Sequence, residues 1–419
     1  LVRTHSVGGQ LSWIVSPRTV NETRAQYARD NQPDVSPVGE KSQLRGIPSE
    51  IRITDGQAYT FGPLNFLPRI ILEDRYQVIN TTTHLRGKHN IKFGFDINVV
   101  DQKNVQTRTS RGQYSFTNLV NFAIGAYRSF VQNLGDPRAP QTATDWAGFV
   151  QDEHRVSPSL TLNYGVRYDL QTFTQPLTVN PLVPETSRIP VDKNNFAPRL
   201  GFAWSPWRSL KTVVRGGYGI SYVRTLTVDT EIFLFRNGVA RQLVNFQGPD
   251  NPSGSQPRAP VFPGILDNRL TVQDLGIPVN TVEVGIAAPG RVQGYVQQSN
   301  FTIERQWTST LQTSIGYLWL RGVKLTGKIT ENVGSTPVSF RDVAVVDLAN
   351  RQTGLVTRVP NYDAVRNRPN PAVGDLFTNR SEFNSYYNAF FFQLNKRFSS
   401  NYLGGVSYTF SKSIDDNPQ

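Results

Sequence analysis

Alternation of apolar and polar residues dominates this chain, and its clearest run goes from Leu160 to Gln171. Leu160, Leu162, Tyr164, Val166, Tyr168 and Leu170 alternate with Thr161, Asn163, Gly165, Arg167, Asp169 and Gln171. A period of two sorts these side chains onto one apolar and one polar face of a strand. The run is about a dozen residues long, whereas soluble strands average about half that and a tilted membrane-crossing strand needs about 9 to 11. The pattern recurs. Ile91, Phe93, Phe95, Ile97 and Val99 oppose Lys92, Gly94, Asp96 and Asn98, and Leu200, Phe202 and Trp204 oppose Arg199, Gly201 and Ser205. Thr212, Val214, Tyr218, Ile220 and Tyr222 oppose Lys211, Arg215, Gly217 and Ser221, with Val213 and Val223 as exceptions. Leu311, Thr313, Ile315, Tyr317 and Trp319 continue the series, and so do Tyr386, Phe390, Phe392 and Leu394. The last run, Tyr402, Val406, Tyr408 and Phe410, opposes Gly405, Ser407, Thr409 and Ser411.

Connections supply a second regularity. Short turns at Ser16-Pro17-Arg18, Arg86-Gly87-Lys88, Ser157-Pro158-Ser159, Ser205-Pro206-Trp207-Arg208, Trp307-Thr308-Ser309 and Ser399-Ser400-Asn401 join the strands in pairs, which read as hairpins. Between the pairs lie Pro-, Asn- and Gly-rich stretches over residues 29–76, 101–141, 172–196, 224–292 and 322–384. Loops longer than about 15 residues are uncommon in compact domains. Short turns on one rim and long loops on the other are ordinary in outer-membrane barrels. Strand extensions beyond the membrane are expected inside these stretches, and Phe122-Ala123-Ile124-Gly125-Ala126 reads as a short helical turn.

Composition narrows the choice. With 419 residues, 18% charged and 38% hydrophobic, the chain is not a disordered tail, a collagen or a coiled coil. The length allows two or three soluble domains or one large β-structure. No window approaches the roughly 20 apolar residues of a membrane-spanning helix. The mean hydropathy of −0.38 still suits a β-barrel, because only half of its strand residues face lipid. The lack of Cys removes disulfides, thiolate metal sites and cysteine nucleophiles. The lack of Met, the first residue Leu1, and an end at Asp415-Asp416-Asn417-Pro418-Gln419 directly after a patterned segment lead us to expect an internal fragment of a longer protein.

Charge placement agrees with a barrel. Glu22, Arg24, Asp96, Arg167, Asp169, Arg199, Arg215 and Arg397 fall on the polar face, whereas an Arg or Lys facing lipid at mid-bilayer costs about 2 to 4 kcal/mol. Arg305 and Lys396 break phase, but both stand beside a short turn, where long side chains snorkel to the interface. Tyr164, Tyr168, Trp204, Trp207, Tyr222, Trp319, Tyr386 and Phe398 tend towards strand ends, as an aromatic girdle requires.

Several of these segments resemble a known family. The stretch Asp145 to Val156 (DWAGFVQDEHRV) leading into Leu160 to Asp169 (LTLNYGVRYD) resembles the FxQDxW(K)xxxxLTLxxGxRYD hairpin of TonB-dependent receptors. Asn195 to Trp204 (NFAPRLGFAW), Val214 to Ile220 (VRGGYGI) and Tyr408 to Asp416 (YTFSKSIDD) are similar to the Oar-like branch, whose members carry an N-terminal carboxypeptidase-regulatory-like domain. The similar stretches spread from Asn21 to Asp416. The resemblance implies a 22-strand outer-membrane barrel, plugged by an N-terminal domain and energised through TonB, ExbB and ExbD. The sequence shows no TonB box or plug, no secretion signal and no terminal aromatic strand, so residues 1–419 are expected to be a partial barrel domain. The expected fold is all-β: an antiparallel transmembrane β-barrel, partial, with about 12 strands in six hairpins and long extracellular loops.

The net charge of +12 comes from scattered residues rather than one basic stripe, so no nucleic-acid partner is expected. Attraction to anionic lipopolysaccharide, or a local surplus in a longer protein, accounts for it. Arg215-Gly216-Gly217-Tyr218-Gly219 lies inside an alternating strand and opens no helix, so its glycines relieve crowding in a curved wall rather than cradle phosphate. His84 and His89 flank a turn, and His5 and His154 lie far off in sequence, which gives no metal-ligand spacing. Asp415-Asp416 reads as solvated turn residues. Arg167 with Asp169, and Glu22 with Arg24, read as a structural lumen network.

No nucleophile and base stand at motif spacing, so no enzyme activity, catalytic residue, cofactor or metal site is expected. The leading expectation is an outer-membrane receptor barrel for energised transport of a large solute captured by the long loops. Its partners would be membrane lipid and lipopolysaccharide, TonB-ExbB-ExbD through a plug, and an extracellular ligand whose contact residues the sequence does not name. An adhesion or structural barrel without energised transport is the alternative, and a soluble β-rich binding module the third.

Overall fold

The computed structural model describes residues 2–34, 49–67, 69–106, 108–207, 211–251, 254, 256–347, 351–362 and 368–416. Among these, the chain runs through β1 (Arg3–Ser16), β2 (Thr19–Asp34), β3 (Glu50–Asp55), β4 (Gln57–Phe61), β5 (Arg69–Arg86), β6 (His89–Gln106) and β7 (Gln113–Phe116). After helix α1 (Leu119–Ala123) come β8 (Ser129–Gly135), β9 (Arg138–Ser157), β10 (Leu160–Phe173), β11 (Asn195–Trp204) and β12 (Thr212–Tyr222). Helix α2 (Thr227–Phe235) leads to β13 (Arg241–Gln247), β14 (Val284–Ala287), β15 (Tyr295–Gln306), β16 (Leu311–Thr330), β17 (Ser339–Val346), β18 (Gln352–Asn361), β19 (Leu376–Ser399) and β20 (Tyr402–Asp415). No helix among the described residues is long and apolar enough to cross a membrane.

Twelve strands build one antiparallel sheet in the order β1-β2-β5-β6-β9-β10-β11-β12-β15-β16-β19-β20, and β14 adds a short parallel pairing to the start of β19. These are the six expected hairpins, joined by the expected turns. In the fourth of them Arg208 lies outside the described residues, as do Leu1 and Asn417-Pro418-Gln419 at the ends. The sheet is open: among the described residues β1 and β20 each pair on one side only. Several strands outrun a membrane crossing, β9 and β16 with 20 residues and β19 with 24, which matches the expected extensions into the loop side.

Register carries the apolar phase from strand to strand. Val166 stands opposite Val150 and Pro198, Leu200 opposite Tyr164 and Tyr218, and Tyr317 opposite Phe301 and Phe390, which in turn faces Phe410. One side of the sheet is therefore apolar across its width, and no layer covers it: Leu200 is 59% exposed and Phe410 67%. The total accessible surface is 25149 Å², where a compact soluble chain of 47.0 kDa would expose roughly 16,000 Å². Rings band this face at two heights. Near the short turns stand Trp13, Trp204, Trp307 and Phe398, and towards the loops the pairs Tyr27–Tyr76, Tyr168–Phe196 and Tyr222–Tyr295, with centroids 5.1, 5.0 and 5.7 Å apart.

The protein's own core lies in the loops. A second sheet, β13-β8-β7-β3-β4, buries Ile51, Ile53, Tyr114, Phe116, Phe130 and Phe246. Tyr114 meets Tyr127 and Phe262 edge-on at 4.8 and 5.1 Å. Gly112 makes the tight approach possible: its φ is +75°, and a Cβ there would lie 2.5 Å from the Phe130 ring. Periodicity does not reveal this sheet, because its strands are four to seven residues long and, apart from the β3–β4 hairpin, pair between separate segments of the chain. The helical turn expected at 122–126 is displaced to α1: the Asn118 side chain caps Asn121 N at 2.7 Å, and Gly125 at φ +71° follows its end.

Two of the three wall glycines relieve crowding as expected, whereas at Gly219 a Cβ would make only an ordinary contact, 3.5 Å from Arg199. Gly216 lies under the Phe202 ring, where a Cβ would come within 2.4 Å, and Gly217 lies against the Asn300 side chain.

Candidate functional site

The loops do not stand clear of the wall; they fold over its polar face. Gln102, Gln141, Gln171 and Asn195, all on that face at the loop-side ends of their strands, are buried. Gln141 donates to Thr227 O at 2.9 Å and accepts from Thr230 Oγ1 at 2.5 Å, which docks α2 on β9. Asn195 Nδ2 donates to Gln293 Oε1 at 2.6 Å, and Gln171 Oε1 accepts from Thr225 N at 2.8 Å. Arg291, 5% exposed, donates to Asn379 Oδ1 and Thr225 Oγ1, both at 2.8 Å. These buried hydrogen bonds fix the cover to the wall, although Asn195 Oδ1 itself accepts none. The covered face is the inner one.

Below the cover the inner wall is an ion-paired surface. Arg167 bridges Asp169 at 2.8 Å and Asp96 at 3.7 Å, and Gln77 donates to Asp96. Arg24 pairs with Glu22, Arg215 with Glu304 at 3.7 Å, Arg224 with Asp145 at 3.2 Å, and Arg155 with Glu153 at 3.8 Å. The two pairs expected from sequence, Arg167 with Asp169 and Glu22 with Arg24, are thus structural contacts on one face. A recess of about 390 Å³ opens in this wall, lined by Lys92, Phe149, Gln151, Asn163, Arg167 and Arg199 among others. A second cavity, of about 360 Å³, lies where the loop sheet, α2 and the ends of β16 and β19 meet. Arg236 there pairs with Glu283 at 3.4 Å, and burial lowers the guanidinium's affinity for its proton and raises the carboxyl's. Burial does the same to Arg241 and Glu231 in the neighbouring pair, 3.2 Å apart, and their mutual attraction opposes it.

The phase-breaking cations are held as the snorkelling argument requires. Arg305 lies 4.5 Å from the Trp307 ring and 5.9 Å from Trp207, and Lys396 Nζ lies 4.7 Å from Tyr402 and donates to Thr310 Oγ1. Asp416 accepts from Asn384 N at 2.6 Å and serves as a backbone cap.

Two outer-face clusters escaped the sequence reading. His89, treated there as remote from His154, stacks on it at 4.0 Å; its Nδ1 lies 2.6 Å from Asp152, which also accepts from Tyr164. Further up, Asn21 and Asn80 exchange amide hydrogen bonds at 3.1 and 3.0 Å and also donate to Thr82 and Thr23. Both arise from cross-strand register, which pairs His89 with His154 and Asn21 with Thr82. Alternation alone does not fix register. Among the described residues no group of His, Cys, Asp or Glu could hold a metal ion.

A family model described as an outer membrane beta barrel domain matches residues 1–419. The chain belongs to this family. Its barrel wall therefore lies in the bacterial outer membrane, and the bare apolar face fits contact with lipid. No curated protein matches the sequence. Among solved structures the barrel is similar to the outer membrane transporter YddB from Escherichia coli, with 9% identity and a TM-score of 0.55 over 99% of this chain and 42% of that one. Weaker likenesses are to the copper transporter OprC (10% identity, TM-score 0.49, 98% and 46% covered) and the FrpB iron transporter from Neisseria meningitidis (11%, 0.44, 100% and 46%). The barrel spans less than half the length of these structures, and at such identities the likeness is one of fold.

Proposed function

We propose that residues 1–419 form the barrel part of an Oar-like TonB-dependent receptor that carries a large solute across the outer membrane. The loops capture the solute at the extracellular rim, the inner wall lines its path, and movement of a plug driven through TonB, ExbB and ExbD opens that path. The wall supplies shape and a hydrated surface, with no bond chemistry.

The observation that carries this reading is the folded cover. A sheet with its own aromatic core sits over an inner face on which arginines hold the carboxylates around an open recess. A barrel that served only as a rigid anchor needs neither. Further strands would pair with β1 and β20, because each presents an edge of backbone donors and acceptors, and such edges are not left bare in hydrocarbon.

The test compares the periplasmic contents of the native host, of a strain lacking this protein and of a strain lacking TonB by mass spectrometry. Compounds whose level changes when the protein is removed should change in the same way when TonB is removed. A protein-dependent compound that is indifferent to TonB contradicts energised transport, and loss of surface attachment alone points to the adhesion barrel.

A further inference from the structure

The charges on the inner side are not balanced. Glu22, Asp96, Asp145, Glu153, Asp169 and Glu304 each have an arginine within 4 Å. Lys92 and Arg199, which line the wall recess, have no carboxylate partner among the described residues. The loop cavity repeats the imbalance. Arg108, Arg236 and Lys328 line it with a single carboxylate, Glu283, which is already engaged by Arg236. Three cations against one carboxylate leave two positive charges, and Arg108 and Lys328 are exposed side chains without an ion-pair partner among the described residues. Asn65, Gln113 and Asn133 add neutral polar groups to the lining, and Val131, Ile232, Leu243 and Phe377 apolar ones.

Physical chemistry says what such a cavity takes. Surplus charge of one sign in a partly enclosed cleft focuses the field and concentrates ions of the opposite sign. Guanidinium and ammonium groups bind carboxylate and phosphate oxygens with charge-assisted hydrogen bonds, about twice as strong as neutral ones. A volume of about 360 Å³ lies in the ordinary range for small-ligand pockets.

We infer that the solute is anionic, and that the loop cavity receives a carboxylate- or phosphate-bearing part of it before it reaches Lys92 and Arg199 on the wall. This inference rests on the capture reading above and names the solute's class. A neutral glycan would gain nothing from the unpaired cations. The six carboxylates named above stay occupied by arginines, and Asp30 on the same face is held by Thr4 and Gln32, so the wall around the recess does not repel an anion.

The test titrates the purified full chain in detergent micelles with citrate and with pyrophosphate at constant ionic strength, with maltotriose as the neutral comparison, by calorimetry. Both anions should bind saturably and maltotriose should not. The double variant Arg108→Gln/Lys328→Gln should weaken anion binding at least tenfold, and Arg108→Lys/Lys328→Arg should restore it to within threefold. Absence of saturable anion binding, equal binding of maltotriose, or retention of affinity in the Gln double variant overturns the inference. The two readings fail separately. Energy-dependent transport without anion binding removes only the anionic class, whereas anion binding with transport indifferent to TonB removes only energised transport.

Discussion

Asn80 faces hydrocarbon in the middle of a strand, where a polar group costs free energy unless its hydrogen bonds are met. Its amide is met, because Asn21 and Thr23 accept from it and Asn21 donates back. Replacing one member should therefore hurt more than replacing both. Asn80→Leu is expected to cost about 1 to 3 kcal/mol by taking the donor from Asn21 Oδ1 and the acceptor from one of its N–H groups, while Thr82 keeps the other, whereas Asn21→Leu/Asn80→Leu should be near neutral, as read by urea titration of folding into liposomes. In the loop core, burial pushes the Tyr127 hydroxyl up to about 12 from 10.0. Stability from that neutral phenol is fully present below pH 10 and is lost as pH rises towards 12, because the unfolded phenol ionises first. Alkaline titration followed by near-UV circular dichroism should show this loss in the loop core, and Tyr127→Phe should reduce it. Sequence gave no warning of either site. Asn21 and Asn80 meet only through the β2–β5 register, and Tyr127 is enclosed by Tyr114, Phe116 and, far along the chain, Gly248 and Pro260.

At the scale of elements, hairpins were legible and the cover was not. The six pairs announce themselves through long alternation and short turns, so Leu160 to Gln171 predicts β10 with almost no error. Nothing equivalent marks β3, β7, β8 or β13: β3 pairs locally only with the short β4, its other partner, β7, is far off in sequence, as β13 is from β8, and their faces pack against a local core rather than alternate against lipid. The inner recess was legible only in part: Arg167, Asp169 and Arg199 could be placed on the polar face, but Lys92 joins them through the β6–β9–β10 register. The tie between cover and wall runs through Arg291, which links the segment after β14 to β19. Arg291→Ala removes two charge-assisted hydrogen bonds, each worth about 1.5 to 3 kcal/mol. It should raise hydrogen exchange in β14 and α2 while β10 and β12 keep their protection.

For the molecule as a whole, the arrangement inverts that of a soluble protein. Apolar side chains form the outside of the wall, charges line the inside, and the only extensive aromatic core among the described residues sits in the loops. A soluble sandwich would have sealed the apolar face against a second layer; here that face is bare and the accessible surface far exceeds what a compact chain of this mass exposes. A hydrated path inside requires that lipid cover that face. Because the chain has no cysteine, single cysteines at consecutive positions from Leu162 to Gln171 can each carry a spin label in the barrel reconstituted in lipid. Accessibility to dissolved oxygen and to a water-soluble nickel chelate should then alternate with a period of two, with Leu162, Val166 and Leu170 open to oxygen, Asn163 and Arg167 open to nickel, and Gln171, sealed under the cover, closed to both. Uniform access of the nickel chelate to both sets, or exclusion of both probes from Leu162, Val166 and Leu170, would contradict the account.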